Sequence, residues 1–211
     1  GAGEAAFTID PTACEGCGVC VAFCPVKAIG FPERMAGEWY VSETRCGPMV
    51  HARLEPGGEN SGKLVSNVRE TARQVAAEKS LELILVDGPP GVGCPVIASL
   101  TGVSHVLIVT EPTLSGAHDM LRAMELAAHF GIPFSVCVNK WDLNADMTEK
   151  IETSALEKGA SPAGRIRYDR AVTDAQIQGR AVVELHGAQA GADIRSLWAR
   201  MLDNMQGHDA D

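Results

Sequence analysis

Four cysteines packed into eleven residues constrain this chain more than any other feature. Cys14, Cys17, Cys20 and Cys24, followed by Pro25, spell C-x2-C-x2-C-x3-C-P. The 211 residues hold 7 cysteines, an odd count so clustered that it does not read as a disulfide framework; in an intracellular chain the clustering points to metal. Thiolates are the ligands that an iron–sulfur cluster requires, and three closely spaced cysteines on a loop can wrap three corners of a cubane. Gly16 and Gly18 permit the tight backbone and expose N–H groups able to bond the cluster sulfurs.

The run matches the bacterial ferredoxin pattern, in which the fourth cysteine serves the other cluster of a pair. A zinc site and coincidental core cysteines are the bland alternatives. Cys14, Cys17 and Cys20 then supply three ligands to one 4Fe–4S cluster, and a fourth must come from elsewhere. Cys24 folding back, Cys46, and a cysteine upstream of Gly1 remain open. Residues 1–45, with four of the seven cysteines and short runs at 28–31 and 39–42 split by Pro and Gly, read as a partial ferredoxin-like module.

Residues 46–211 read as a second domain with a different pattern. Residues 81–87 (LELILVD), 105–110 (HVLIVT) and 133–139 (PFSVCVN) are apolar runs of the kind that strands buried on both faces show. Between them lie helical spacings: Leu64, Val65, Val68, Ala72, Val75 and Ala76 on one face, with Asn60 or Ser61 as N-cap. Leu121, Met124, Leu126 and Ala127 suggest another helix, and Ile194, Leu197, Trp198 and Met201 a third. Strand–helix alternation predicts an α/β fold with a parallel sheet flanked by helices. With 45% hydrophobic but only 5% aromatic residues, the core must be aliphatic. The net charge of −9 argues against non-specific nucleic-acid binding. No apolar run reaches the roughly 18 residues of a membrane span, and no secretory signal pattern is present, so a cytoplasmic location is expected.

Two segments suggest nucleotide chemistry. An apolar strand ending in Asp87 and running into Gly88, Pro89, Pro90 and Gly91 has the Walker B and switch arrangement of P-loop NTPases. There an Asp holds the water shell of Mg²⁺ and a Gly-rich turn approaches the γ-phosphate. Residues 136–142 (VCVNKWD) place Asn139 and Asp142 in an N-K-x-D loop after a strand, where Asn contacts a purine edge; an ordinary polar turn is the bland reading. Residues 57–64 (GGENSGKL) imitate a P-loop but put Leu64 where a hydroxyl must hold Mg²⁺. A capped helix N-terminus able to touch an anion is the better reading there.

Taken together, the blocks CEGCGVCVAFCPVKAI, LEPGGENSGKLV, DGPPGVGCPVIASLTG, VTEPTLSGAHD, VNKWDLN and RYDRAVTDAQIQGR resemble the MinD/ParA-like P-loop ATPases that carry a ferredoxin insert, often labelled cobyrinic acid a,c-diamide synthase-like. The resemblance implies an ATPase of the deviant Walker A type with two 4Fe–4S clusters, using ATP with Mg. It implies Asp87 as the catalytic Walker B acid, Gly88 to Gly91 as the switch loop, Asn139 and Asp142 at the base, and Tyr168 and Asp169 in the loop flanking it. It also sets Cys94 where a related protein places a cluster-bridging cysteine, although a small apolar residue packed at a helix start is the better reading. The family's Walker A loop, first strand and first cysteine motif precede the insert and are not in this chain, which begins at Gly1. The expectation is therefore a C-terminal portion that alone does not hydrolyse ATP. In the intact protein, ATP turnover would drive a redox or partner-docking event, with a nucleotide-dependent homodimer and a redox protein as partners. The alternative is a ferredoxin-type electron-transfer module on an inactive α/β scaffold.

Overall fold

The computed structural model describes residues 7–10, 14, 17–32, 35, 37–55 and 62–206. The chain divides into two compact units, Gly1–Gly88 and Pro89–Asp211.

In the first unit a single helical turn, α1 (Val19–Ala22), follows Cys17 and carries Cys20. The short apolar run at 39–42 lies in a strand, β1 (Gly37–Thr44), which pairs antiparallel with β2 (Gly47–Leu54) in register Thr44↔Gly47. Arg45 and Cys46 form the two-residue turn between them. Tyr40 and His51, directly opposite each other, stack at 5.4 Å, the cross-strand pairing that stabilises a two-stranded ribbon. The expected helix is present as α2 (Gly62–Glu78) and packs on β2. Lys79, just beyond it, pairs with Glu43 of β1. The proposed N-caps Asn60 and Ser61 lie outside the described residues.

Residues 81–87 depart from expectation. They form no strand, and Leu81, Leu83, Ile84 and Leu85 are exposed, Leu85 by 80%. Apolar composition favours a buried strand, but a strand exists only by pairing its backbone groups with a neighbour. No described strand is hydrogen-bonded to this segment.

The second unit opens with α3 (Cys94–Leu100) and is built on a parallel sheet of order β3-β4-β5: β3 (Val106–Thr110), β4 (Phe134–Asn139) and β5 (Ser161–Ile166). The crossovers are α4 (Leu114–His129) and α5 (Ala145–Glu157). Then α6 (Ala171–Ile177) and α7 (Gln189–Gln206) complete the unit. Each crossover helix has a side-chain cap: Thr113 Oγ1 accepts from Gly116 N at 2.9 Å, and Asn144 Oδ1 from Met147 N at 3.1 Å. The result is the α/β architecture read from the sequence, a helix-flanked parallel sheet, with the smaller antiparallel sheet in the other unit.

β4 is central, and its first five residues are all buried. Met120 and Met124 of α4, Val136 and Val138 of β4 and Ile151 of α5 form one core cluster. Cys137 packs between sheet and α7 with Ala163, Leu197 and Met201. As expected for a strand-interior cysteine, it is fully buried, and burial pushes its thiol up to about 12. The core is aliphatic, but methionines are its largest fully buried side chains. No described helix is long and apolar enough to cross a membrane.

Candidate functional site

In a parallel sheet every strand ends at the same edge, and loops leaving that edge form the usual ligand crevice. Here Glu111 follows β3, Asn139 ends β4, and Arg167, Tyr168 and Asp169 follow β5. Lys140, with φ 54° and ψ 37°, turns the chain into a short 3-10 helix, Trp141–Leu143. Its Nζ lies 2.6 Å from Glu111 Oε1, tying the β3 and β4 loops together.

The β4 and β5 loops are joined by Asp142, whose Oδ1 accepts the Tyr168 N–H at 2.7 Å. Asp169 is committed in the same manner. Its two oxygens accept from Ala171 N at 2.9 Å and Ala190 N at 3.0 Å, at the starts of α6 and α7. The bond from Ala190, then that from Ala171, holds the Asp169 carboxyl below its usual range. Arg167 forks onto Asp193 of α7 through Nε at 2.7 Å and Nη2 at 2.9 Å, and its Nη1 reaches Gln189 at 2.9 Å. The Arg167 guanidinium in turn holds the Asp193 carboxyl below the usual range. Asn139 differs from these residues. Half-buried at the strand end, its side-chain amide makes no hydrogen bond among the described residues, so a donor and an acceptor both remain for a ligand.

The remaining sequence candidates lie apart from this edge in the chain. Asp87 and Gly88 end the first unit, both exposed and outside any strand. Pro89, Pro90 and Gly91 begin the second and lead through a run of bends into α3. Cys94 is the first residue of α3 and is exposed, which corrects the expectation that it packs as a small apolar residue. Of the GGENSGK loop, residues 57–61 lie outside the described residues. His118, for which the sequence offered no role, is exposed, with its Nδ1 3.5 Å from Asp119.

All the described cysteines are free thiols; Cys14 and Cys24 are half-buried, Cys17, Cys20 and Cys46 exposed. The turn at Cys24 is shaped for a thiolate. Its carbonyl accepts from Lys27 N at 3.2 Å, Lys27 takes a left-handed φ of 50°, and Ala28 N–H meets Cys24 Sγ at 3.3 Å. That Ala28 bond is the main cause holding the Cys24 thiol below its ordinary value, against burial and with help from the amides of Val26, Lys27 and Ile29. Successive amides in such a turn form an anion-binding nest, the setting that a cluster thiolate needs. The donor set therefore fits an iron–sulfur cluster in kind, although no three His, Cys, Asp or Glu side chains converge into a metal-binding group among the described residues. At the hairpin tip, Cys46 Sγ accepts from Arg45 Nη1 at 3.6 Å.

Sequence reasoning did not single out Glu111, Lys140, Arg167 or Asp193. Glu111, Lys140 and Arg167 lie inside quoted motif blocks, but the Glu111–Lys140 and Arg167–Asp193 pairs span 29 and 26 residues, a pairing that no local pattern carries.

Comparison with known proteins places these observations. Residues 7–30 match the 4Fe–4S binding domain family. Over 139 residues, 65% of this chain and 48% of the other, the sequence is 37% identical to an uncharacterized protein of Methanocaldococcus jannaschii. A second uncharacterized protein of that organism is 26% identical over 131 residues, 62% of this chain and 46% of its own. The chain thus spans about half the length of the curated relatives it matches. Among solved structures, the cell division ATPase MinD of Pyrococcus furiosus superposes with a TM-score of 0.56 at 15% identity, over 70% of this chain and 60% of that one. The MinD cell division protein of Aquifex aeolicus gives 0.55 at 19% identity, over 68% and 61%. The chain has a MinD-like α/β fold, and its residues 7–30 match a 4Fe–4S binding domain.

Proposed function

We propose that this chain belongs to an iron–sulfur ATPase in which ATP binding and hydrolysis govern a redox or partner-docking event. The observation that carries the nucleotide part is the uncommitted Asn139 amide, held between two loops that Asp142 and Asp169 lock by backbone bonds at the C-terminal edge of the sheet. Asn139 offers its carbonyl oxygen and NH₂ to a purine edge. Asp142, with Oδ1 engaged by Tyr168 N–H, positions that loop and does not offer both oxygens to the base. Asp87 takes the role of the acid that orients the Mg²⁺ water shell, and Gly88, Pro89, Pro90 and Gly91 form the segment whose backbone responds to the γ-phosphate.

The thiols of Cys14, Cys17, Cys20 and Cys24 would hold 4Fe–4S iron, with Cys46 or a cysteine outside residues 1–211 completing a ligand set. Such a cluster supplies one-electron transfer when bound. The Ala28 N–H stabilises the Cys24 thiolate by direct hydrogen bonding. In this reading the phosphate cradle lies in a part of the whole protein outside residues 1–211. Nucleotide-dependent homodimerisation and docking of a redox protein are the events that ATP would control.

The test is made on the whole protein purified without oxygen. Iron and sulfide in cluster stoichiometry, an EPR signal altered by Mg-ATP, and ATPase activity lost in Asp87→Ala are expected. Unchanged turnover in Asp87→Ala would remove Asp87 from the mechanism, and zinc in place of iron would overturn the cluster. A low-potential EPR signal indifferent to nucleotide would favour an electron-transfer module on an inactive scaffold. Residues 1–211 alone are expected not to hydrolyse ATP; hydrolysis would give the cradle to the GGENSGKL loop.

A further inference from the structure

A groove of about 460 Å³ runs along β5 between α5 and α7, within the size range of small-molecule sites. Trp141, Leu156, Pro162 and Leu197 contribute apolar wall. Among its charged groups, two ion pairs are already closed. Arg165 grips Glu152 through Nε at 2.7 Å and Nη2 at 2.5 Å and lies 5.2 Å over the Trp141 ring, and Arg167 grips Asp193.

Arg200 is different. It lines the same groove from α7 and makes no hydrogen bond or ion pair among the described residues. Its guanidinium lies against Gly164, where a Cβ would stand 2.8 Å from Nη1. Gly164 has φ +126°, a backbone conformation that side chains disfavour, so glycine both permits the turn of the strand and leaves the space that the guanidinium fills. Ser161 and Ser196 add two hydroxyl donors to the lining. With both carboxylates engaged by Arg165 and Arg167, the groove offers an excess of donors and one uncompensated positive charge.

From this arrangement we infer that the groove binds a small organic oxyanion, a carboxylate or phosphate ester with an apolar body, anchored by Arg200. A peptide strand added to β5 is the less suitable occupant. Pro162 has no N–H to give a ladder, and the register shift opposite Val136 and Cys137 interrupts the strand. The anion meets the Arg200 fork, the form of charge-assisted hydrogen bonding that arginine favours, while the apolar body lies against Leu156, Leu197 and Trp141. Trp141 and Arg167 belong also to the loops that hold Asn139, so a ligand here is one residue from the Asp142–Tyr168 lock. This inference is independent of the ATPase reading.

The experiment uses residues 1–211 in ¹H–¹⁵N correlation spectra, titrated with phenyl phosphate, phenylacetate and the neutral phenylacetamide. Both anions should shift amides of residues 160, 161, 163–165 and 196–200, with phenylacetamide about ten-fold weaker and anion binding weakened by added salt. Stronger binding of phenyl phosphate would identify a phosphate-bearing ligand, and stronger binding of phenylacetate a carboxylate. Arg200→Gln, with an unchanged far-UV spectrum, should lower anion affinity about ten-fold. Arg122→Gln, on α4, should leave it unchanged. Equal binding of phenylacetamide, full anion affinity in Arg200→Gln, or no shift from either anion at about 10 mM would overturn the inference.

Discussion

Gly116 lies in the first turn of α4, where replacing glycine by alanine ordinarily stabilises a helix by about 1 kcal/mol. Here the sign should reverse. A Cβ at Gly116 would stand 2.8 Å from Thr110 Oγ1, 3.1 Å from Thr113 Oγ1, and closer still to the Glu111 carbonyl oxygen. The Glu111 oxygen is backbone at the end of β3 and cannot rotate aside. Overpacking of this kind costs about 1–3 kcal/mol. The same Cβ crowds Thr113 Oγ1 just where it accepts the Gly116 N–H at 2.9 Å, and a lost cap costs about a further 1 kcal/mol. Set against the propensity gain, Gly116→Ala should destabilise by about 1–3 kcal/mol; for a chain of this size each kcal/mol lowers Tm by about 2–4 °C. Urea unfolding followed at 222 nm should show a lower midpoint with an unchanged slope, while Ser115→Ala, exposed one position earlier, should leave the midpoint near wild type. The Glu111–Lys140 pair is half exposed and adds little to the balance. A Gly116→Ala midpoint at or above wild type would refute the close approach of α4 to the end of β3, and with it the placement of Glu111 beside Lys140.

Two further outcomes follow from the electrostatics. The depressed Cys24 thiol should react with iodoacetamide in the metal-free, reduced chain at pH values where an ordinary cysteine is protonated; a rate profile with the midpoint of an unperturbed cysteine would remove the nest at Ala28. Asp193 has a folded-state value below its unfolded one, so its pairing with Arg167 stabilises fully above the ordinary carboxylate range and is lost as pH falls through the lowered value. Asp193→Asn should flatten that acid limb of a stability-against-pH curve, and an identical limb in the variant would place the acid sensitivity elsewhere.

Burial on both faces explains which strands could be read from the chain. β4 announces itself as FSVCVN because its first five residues are all buried, and VLIVT of β3 carries the same apolar signature although Val109 in it is exposed. β5 reads SPAGRI, with a proline, a glycine and two small residues, and no apolar pattern marks it. It is a strand because β4 offers it a ladder, with a register shift that absorbs one residue. Residues 81–87 are the converse. LELILVD has the composition of a buried strand, yet it is exposed and unpaired with any described strand, since composition sets a preference and a neighbour supplies the hydrogen bonds. Leu64, Val68, Val75 and Ala76 marked α2 correctly because helical hydrogen bonds close within the segment itself.

The same division between local and distant bonding governs the site. The letters N-K-x-D identified the loop after β4, and its place at the C-terminal edge follows from the parallel sheet. They did not distinguish the roles of its two polar residues. Asp142 accepts the backbone N–H of Tyr168, 26 residues on, and the two oxygens of Asp169 accept from amides at the starts of two helices. Asn139 keeps its amide uncommitted. A motif records which side chains are present; whether each still has a hydrogen bond to give depends on groups that the fold brings in from elsewhere. If base contact rests on Asn139, then Asn139→Ala must weaken nucleotide binding without loosening the β4–β5 loops, whereas Asp142→Ala must loosen those loops first. The two substitutions separate reading the base from positioning the residue that reads it.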